Sequence, residues 1–443
     1  MQDRSVSKVC GTVMGFFRKT VAQADKVVKF VKRKSKVDAQ LFTEVLTIGS
    51  LSDGTISLER MCMLMMERGV LISKQGLDQR FNPQATQLMK RLFSEALTQF
   101  SEEKAEVLDL LKPFSGVRMI DSSGIELPAN LKELFKGYGG GASEAGLKLQ
   151  TLLNYTQGQI EELVITNARA SDQGFKEHWN WIKSGALHLQ DLGYFDLKFF
   201  EQAQEKQAYF ISRYLNRTTV LDTDSKPLDL LSELSSAGSL FDKKVRLGKK
   251  GNVEVRLIAF RLPDDEVEKR IRKLKEKTKQ KKGKIPTQET IELTKWSIYV
   301  SNVPEGWLNA EQIYLIYTLR WQIELFFKVC KSEAGIDKIS SKKTDRVMCE
   351  IYAKLLCVVT IMYLCSPVRW CKNQELSLHK AYKMLRLRAL DFFKALKSPY
   401  RFNRFIKSFL SDLKKFSLKD KCRKKRRLTY QKLMDSTAQV DFA

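Results

Sequence analysis

The chain has 443 residues, 43% of them hydrophobic and 29% charged, which describes a folded protein of two or three domains and excludes a disordered chain. Its 77 lysines and arginines against 51 aspartates and glutamates leave a formal net charge of +26. An excess of this size favours a polyanionic partner, most commonly nucleic acid.

The first hundred residues, 1–100, predict a helical region. Two segments, 57–73 and 84–100, place apolar residues three and four positions apart, as amphipathic helices do. Ser73 predicts a helix cap. The exposed side of the short helix after it would carry Lys74, Gln75, Gln79 and Arg80. This arrangement suits a small DNA-binding unit, although a plain polar helix face explains it equally well.

Residues 112–215 predict alternating strands and helices, the pattern of an α/β fold. A strand ends at or beyond Asp121 in "MIDSSG", and the turn in "YTQGQ" predicts a hairpin after it. A later strand runs towards Asp191 in "LQDLGYF". A helix and a further strand complete this segment.

Residues 216–303 predict a β-rich segment that contains a basic run. Strands are expected in "VEVRLIAFRLP" and "WSIYVSNVP". Ten of the sixteen residues from Lys269 to Lys284 are lysine or arginine. Such a run predicts a solvated, flexible or DNA-contacting arm.

The segment 304–345 predicts one helix, from about 309 to 332, with a polar strip on an otherwise apolar surface. At 100° per residue the strip falls within an arc of about 100°. Its members are Tyr317, Arg320, Trp321, Glu324, Lys328 and Lys331. The ordinary explanation is a solvated face with a Glu324–Lys328 ion pair. That explanation does not account for an aromatic residue, an arginine and a glutamate in so narrow a strip.

The last region, 346–443, predicts long helices and a basic tail. Its longest apolar run, from Leu355 to Cys365, is too short to span a bilayer and predicts a buried helix. The tail from Lys419 to Leu433 is rich in lysine and arginine. The helices are candidates for contacts between subunits.

The polar strip has a spacing that is more specific than its geometry. Tyr317, Arg320, Glu324 and Lys331 form the pattern Y-x2-R-x3-E-x6-K. This pattern resembles the signature of DDE transposases of bacterial insertion sequences, in the insertion-sequence-four family. The contexts of Asp121 and Asp191 are similar to those of the family's two catalytic aspartates. The similarity covers roughly residues 40 to 370 and leaves room for the family's β-rich insertion before Glu324.

The resemblance implies a ribonuclease-H-like α/β catalytic core, interrupted by the β-rich insertion and flanked by helical N- and C-terminal regions. It also implies that Asp121, Asp191 and Glu324 are the catalytic residues. Three carboxylates without histidine or cysteine are hard oxygen ligands that suit Mg²⁺ or Mn²⁺. Two such ions can activate an attacking oxygen and stabilise the leaving oxygen of a phosphodiester.

The implied activity is cut-and-paste transposition, in which hydrolysis at the transposon ends frees 3′ hydroxyls that attack target DNA. Arg320, Lys328 and Lys331 would hold phosphates, and Tyr317 would hydrogen-bond to a backbone phosphate. The implied partners are double-stranded DNA, as transposon ends and as target, and a second copy of the chain on paired ends. No membrane role is expected, and the implied location is the bacterial cytoplasm, at the nucleoid.

Two tryptophans bear on how such an enzyme would excise its element. Some relatives form a DNA hairpin and stack a displaced base on tryptophan, and Trp296 and Trp321 match them in position. Trp296 fits the core of the insertion equally well. Two alternatives to a transposase stay open: a ribonuclease-H-like nuclease without strand transfer, and an inactive DNA-binding relative. The presence of all three acidic residues argues against the inactive relative.

Overall fold

The computed structural model describes residues 2–33, 35–55, 57–101, 108–139, 143–283, 285–339, 341–371, 374–420 and 429–434. Its α-helices are α1 (Gln2–Gly15), α2 (Val21–Val28), α3 (Ala39–Asp53), α4 (Leu58–Met66), α5 (Lys74–Asp78), α6 (Pro83–Gln99), α7 (Leu197–Glu205), α8 (Leu230–Ser236), α9 (Asp264–Lys282), α10 (Gln288–Thr294), α11 (Ala310–Tyr317), α12 (Trp321–Ser332), α13 (Thr344–Cys365), α14 (Leu378–Leu387), α15 (Ala389–Ala395), α16 (Pro399–Phe416) and α17 (Thr429–Met434). Its strands are β1 (Val117–Leu127), β2 (Ala145–Asn154), β3 (Gln159–Asn167), β4 (Leu187–Gln190), β5 (Tyr209–Arg213), β6 (Val220–Leu221), β7 (Leu240–Leu247), β8 (Val253–Arg261), β9 (Trp296–Ser301), β10 (Trp370–Cys371) and β11 (Gln374–Glu375).

The chain folds into two compact units, each assembled from three stretches of sequence. The first, called here the helical unit, comprises Met1–Glu106, Ser122–Ala170 and Gln322–Arg426. The second, called here the sheet unit, comprises Val107–Asp121, Ser171–Trp321 and Arg427–Ala443. Strand β1 therefore belongs to the sheet unit up to Asp121 and to the helical unit from Ser122 onward.

The order of the strands identifies the fold. The sheet unit contains the order β1-β4-β5-β9-β8-β7-β6, and the helical unit contains β3-β2-β1. Strands β1, β4 and β5 are parallel, whereas β2 and β3 form the predicted antiparallel hairpin. Within the sheet unit, the parallel order β1-β4-β5 with helix α7 between β4 and β5 confirms the predicted α/β fold class.

The β-rich segment of the sheet unit extends the same sheet. Strand β9 pairs with β5, and β8 and β7 follow it in antiparallel register. These strands and α7 enclose one hydrophobic core, which includes Phe200, Phe210, Leu257, Trp296 and Val300. The basic run lies almost entirely in helix α9, and its last residue, Lys284, is outside the described residues.

The core of the helical unit is built around α13. The stretch Thr344–Val368 is long and apolar enough to cross a membrane, but its apolar window is fully buried inside the fold. Helices α3, α6 and α14 pack against α13. The apolar run is therefore a buried core helix, as predicted.

Ser73 also caps α5 as predicted, since its Oγ accepts a hydrogen bond from the amide of Gly76 at 3.1 Å. Most of the basic tail lies outside the described residues.

One ammonium group, that of Lys354, is buried on α13. Its Nζ donates to the carbonyl oxygens of Gly335 at 2.8 Å and Lys338 at 2.9 Å. These bonds anchor the loop that follows α12 to the central helix. Burial lowers the pKa of Lys354 to about 8, and the nearby carboxylate of Glu350 opposes that shift only in part.

Replacing Lys354 by methionine tests this buried ammonium. The pKa of Lys354 is about 8 in the folded chain and ordinary in the unfolded chain. The unfolded chain therefore binds more protons between those two values, and stability rises with pH there. In urea unfolding from pH 8 to 10, we expect the wild-type free energy of unfolding to rise relative to Lys354→Met by roughly 1 to 3 kcal/mol. Lys90→Met, at an exposed position, is the control. Parallel pH curves for wild type and Lys354→Met would contradict the assignment.

Candidate active site

Two aspartates stand next to each other at one edge of the sheet unit. Ile120 on β1 and Gln190 on β4 are register partners in parallel strands. Asp121 and Asp191 are the next residue on each strand path, so their side chains leave the sheet side by side. Strand β1 continues past Asp121, and Asp191 directly follows β4, as the sequence predicted.

The guanidinium group of Arg320 lies between the two carboxylates. Its Nη1 is 3.4 Å from Oδ2 of Asp121, and its Nε is 3.9 Å from Oδ1 of Asp191. The exposed fraction of the side chain is 16% for Arg320, 21% for Asp121 and 41% for Asp191, so the cluster is open to solvent. One cation thus offsets the repulsion between two like charges.

Tyr317 supports the strand end that carries Asp191. Its buried ring packs against Tyr299 with centroids 5.0 Å apart, and its hydroxyl donates to the main-chain carbonyl of Gln190 at 3.2 Å. Burial raises the pKa of Tyr317 well above its usual value, so the hydroxyl stays protonated and can donate. In this structure the hydroxyl faces the protein, and its expected bond to a DNA phosphate stays a prediction.

The predicted continuous helix from 309 to 332 is interrupted. Helix α11 ends at Tyr317, Thr318–Arg320 form a 3₁₀ turn, and α12 begins at Trp321. The hydroxyl of Thr318 donates to the carbonyl of Leu315 at 2.6 Å, a local bond that competes with the α-helical pattern. A 3₁₀ turn rotates about 120° per residue, so the polar strip is not one uniform face. Tyr317 is buried, whereas Trp321 exposes 55% of its surface.

The other members of the strip lie on the part of α12 that belongs to the helical unit. Glu324 occupies the first turn of α12 and is half-buried. Lys328 is exposed and Lys331 is half-buried. The structure therefore brings Asp121, Asp191 and Arg320 together in the sheet unit. Glu324 lies in the first turn of α12, in the part of that helix that belongs to the helical unit, four residues after Arg320 along the chain.

The chemistry of the two aspartates fits a hard cation. Their carboxylate oxygens already converge on one positive group, and Mg²⁺ and Mn²⁺ prefer such ligands. Across the described ranges, no three side chains of the histidine, cysteine, aspartate or glutamate type form a group that could hold a metal ion. The guanidinium of Arg320 takes the place between the carboxylates, and a divalent ion would have to displace it.

The two candidate base-stacking tryptophans have opposite environments. Trp296 begins β9 opposite Arg261, is 8% exposed and belongs to the hydrophobic core of the sheet unit. Trp321 is largely exposed. For Trp296 the structure favours core packing over base stacking. Of the two rings, that of Trp321 is presented to solvent.

Gln190 is a residue of this site that sequence reasoning missed. Its side chain is fully buried, and neither Nε2 nor Oε1 has a hydrogen-bond partner within the part of the chain that the structure describes. An unpaired buried amide costs stability. Its carbonyl nevertheless holds Tyr317, so the residue fixes the end of β4. Its place directly before Asp191 was the available sequence signal.

Several known proteins are similar to this chain. A family model described as the transposase DDE domain matches residues 112–360. The chain is 31% identical over 386 residues to the transposase for insertion sequence element IS231B of Bacillus thuringiensis subsp. berliner, covering 81% of this chain and 80% of that protein. It is 26% identical over 423 residues to the transposase for insertion sequence element IS1151 of Clostridium perfringens, covering 89% of each. Among solved structures it is similar to a piggyBac transposase synaptic complex with hairpin DNA, at 9% identity and a TM-score of 0.48, covering 94% of this chain and 86% of that chain.

Arg320→Met tests whether one cation holds the aspartate pair. The variant should melt about 2 to 4 °C below wild type at pH 7, because Asp121 and Asp191 then repel each other. Millimolar Mg²⁺ should raise its melting temperature more than that of wild type, since the ion no longer competes with a guanidinium group. Arg261→Met, at an exposed position of the same unit, is the control. Equal Mg²⁺ shifts in Arg320→Met and wild type would rule out the competition.

Urea unfolding of two variants tests whether Trp296 is buried and Trp321 is exposed. Trp296→Ala should lower the free energy of unfolding by about 3 kcal/mol or more, because it opens a cavity in the core. Trp321→Ala should lower it by less than about 1 kcal/mol, because the ring is at the surface. Similar losses in the two variants would contradict a buried Trp296 and an exposed Trp321.

Proposed function

The chain belongs to the DDE transposase family, and on that premise we propose that it is a cut-and-paste transposase of the insertion-sequence-four family. It binds the ends of its element as double-stranded DNA, hydrolyses a phosphodiester at each end and joins the freed 3′ hydroxyls to target DNA. The observation that carries the proposal is the convergence of Asp121 and Asp191 on the guanidinium of Arg320.

Asp121 and Asp191, with Glu324 as the third carboxylate, would hold Mg²⁺, with Mn²⁺ as a possible substitute. Bound there, the ions would activate the attacking oxygen and stabilise the leaving oxygen of a phosphodiester. The two aspartates follow registered positions on parallel strands, which gives them a rigid spacing. Glu324 is in the first turn of α12, where the helix dipole favours a negative charge.

The basic residues of the strip would bind the DNA backbone. Arg320 can grip a phosphate through two N–H groups once the aspartates are engaged by another cation. Lys328 and Lys331, one and two turns after Glu324, would act as point charges. Tyr317 is a positioning residue, because its hydroxyl fixes the carbonyl that precedes Asp191.

We propose that a base displaced next to the cleavage site stacks on Trp321. Its exposed ring offers an aromatic face, and stacking on such a face is tolerant of base identity. Excision through a DNA hairpin would then appear as a hairpin species on denaturing gels. Cleaved ends without that species would exclude the hairpin route.

We propose that two copies act on paired ends in the bacterial cytoplasm, at the nucleoid. The helices of region 346–443 are the proposed contact between copies. The N-terminal region 1–100 is the proposed reader of the ends, and Lys74 and Gln75 on the capped helix α5 are exposed there.

The direct test uses purified protein, Mg²⁺ and labelled DNA that spans an end of the element. Asp121→Asn, Asp191→Asn and Glu324→Gln should each lower cleavage by at least about 100-fold, because each removes a charged oxygen ligand without adding bulk. Binding in mobility-shift assays should be retained. Asp224→Asn and Glu305→Gln, at exposed positions of the sheet unit, are the matched controls and should cleave normally.

Other results would select the alternatives. Normal Mg²⁺-dependent cleavage by Glu324→Gln would remove Glu324 from the site. Wild-type cleavage without joining of the 3′ ends would favour a nuclease. Wild-type binding without cleavage, under both Mg²⁺ and Mn²⁺, would favour an inactive DNA-binding relative.

A further inference from the structure

The sheet unit contains a second cationic site, in an open cavity of about 480 Å³. Lys176, Arg217 and Lys249 border it, and they come from three separate segments of the chain. All three are exposed. Asp196 is the acidic residue of the lining, pairs with Lys176 and caps α7. Three cations less one carboxylate leave the lining with a net charge of +2.

The loop that carries Arg217 is held in one conformation by its own hydrogen bonds. The hydroxyl of Tyr214 donates to the carbonyl of Thr218 at 2.7 Å, and the hydroxyl of Thr218 donates to the carbonyl of Leu215 at 2.7 Å. Arg217 adopts a φ of +81°, which is unfavourable for a residue with a Cβ. Strain of this kind persists where the surrounding structure enforces it, commonly at binding sites.

The hairpin turn that carries Lys249 is fixed to the same framework. The amide of Gly248 donates to the carbonyl of Thr219 at 2.9 Å. Gly248 has a φ of +87°, and a Cβ there would lie 3.0 Å from Cδ1 of Leu197 on α7. Glycine thus allows the turn to approach both α7 and the Arg217 loop. The two cationic side chains therefore project from adjacent, rigid backbones.

Part of the cavity lining belongs to the segment that follows Asp191, since Phe195, Asp196 and Leu197 border the cavity. Helix α7 begins soon after Asp191, following the turn Leu192–Tyr194. The Arg217 loop follows β5, which is parallel to β4. Parallel strands end at a common edge, and that edge is where α/β folds bind ligands.

We propose that this cavity binds backbone phosphates of the DNA strand that passes Asp121 and Asp191. Arg217 grips a phosphate through its planar guanidinium, and Lys176 and Lys249 act as point charges. Contacts of this kind position DNA without reading its sequence. The inference rests on the proposed transposase function and adds a place where the DNA continues beyond the cleavage point.

The test measures DNA binding by the full chain as a function of salt, with the variant Arg217→Asn/Lys249→Ala. Asparagine tolerates a positive φ better than most residues, so the loop should keep its shape. Each lost phosphate contact should reduce the slope of log Kobs against log salt by about 0.9, so the slope should fall by about 1.8. Lys244→Ala/Arg261→Ala removes two exposed cations elsewhere in the unit and should leave the slope unchanged.

The outcomes separate this site from the transposase assignment, because binding does not require cleavage. An unchanged slope in Arg217→Asn/Lys249→Ala would overturn the site, while cleavage by wild type would still support the transposase. If the slope falls as predicted in the double variant but the wild-type protein cleaves no DNA, the phosphate-binding cavity is supported and the proposed transposase activity is overturned. Tight binding of inorganic phosphate that is lost in the double variant, together with an unchanged salt slope for DNA, would identify a free anion as the ligand and overturn the DNA assignment.

Discussion

The repulsion between the carboxylates of Asp121, within β1, and Asp191, directly after β4, is the constraint on which the sheet unit depends. The parallel register of β1 and β4 sets Asp121 beside Asp191, and such a pair needs a cation nearby. In this structure the cation is Arg320. The position between the two carboxylates therefore favours a cation.

The surrounding structure keeps that pair in place. Tyr317 binds the carbonyl before Asp191 and packs on Tyr299 of β9, a strand contributed by the β-rich segment. The β-rich segment therefore extends the sheet and, through Tyr299, also supports Tyr317 at the candidate active site. Its hairpin turn further supplies Lys249 to the cavity beside α7.

Sequence periodicity predicted several elements and the burial of α13, but not the environments of Tyr317 and Trp296. The strand through Asp121, the β2–β3 hairpin and the buried helix α13 follow from patterns of period 2 and 3.6. The turn at Thr318–Arg320 does not, because a helical wheel assumes α-helical geometry throughout and ignores local bonds such as that of the Thr318 hydroxyl. The burial of Tyr317 and Trp296 depends on partners far away in sequence, as does the cavity.

Asp121 and Asp191 share the guanidinium of Arg320, and we propose that a divalent ion can replace it. The most direct measurement is the anomalous scattering of Mn²⁺ in crystals of the wild-type protein. We expect a peak within coordination distance of both carboxylates, with the guanidinium moved away from them. Crystals that bind Mn²⁺ elsewhere, with Arg320 still between the aspartates, would contradict it.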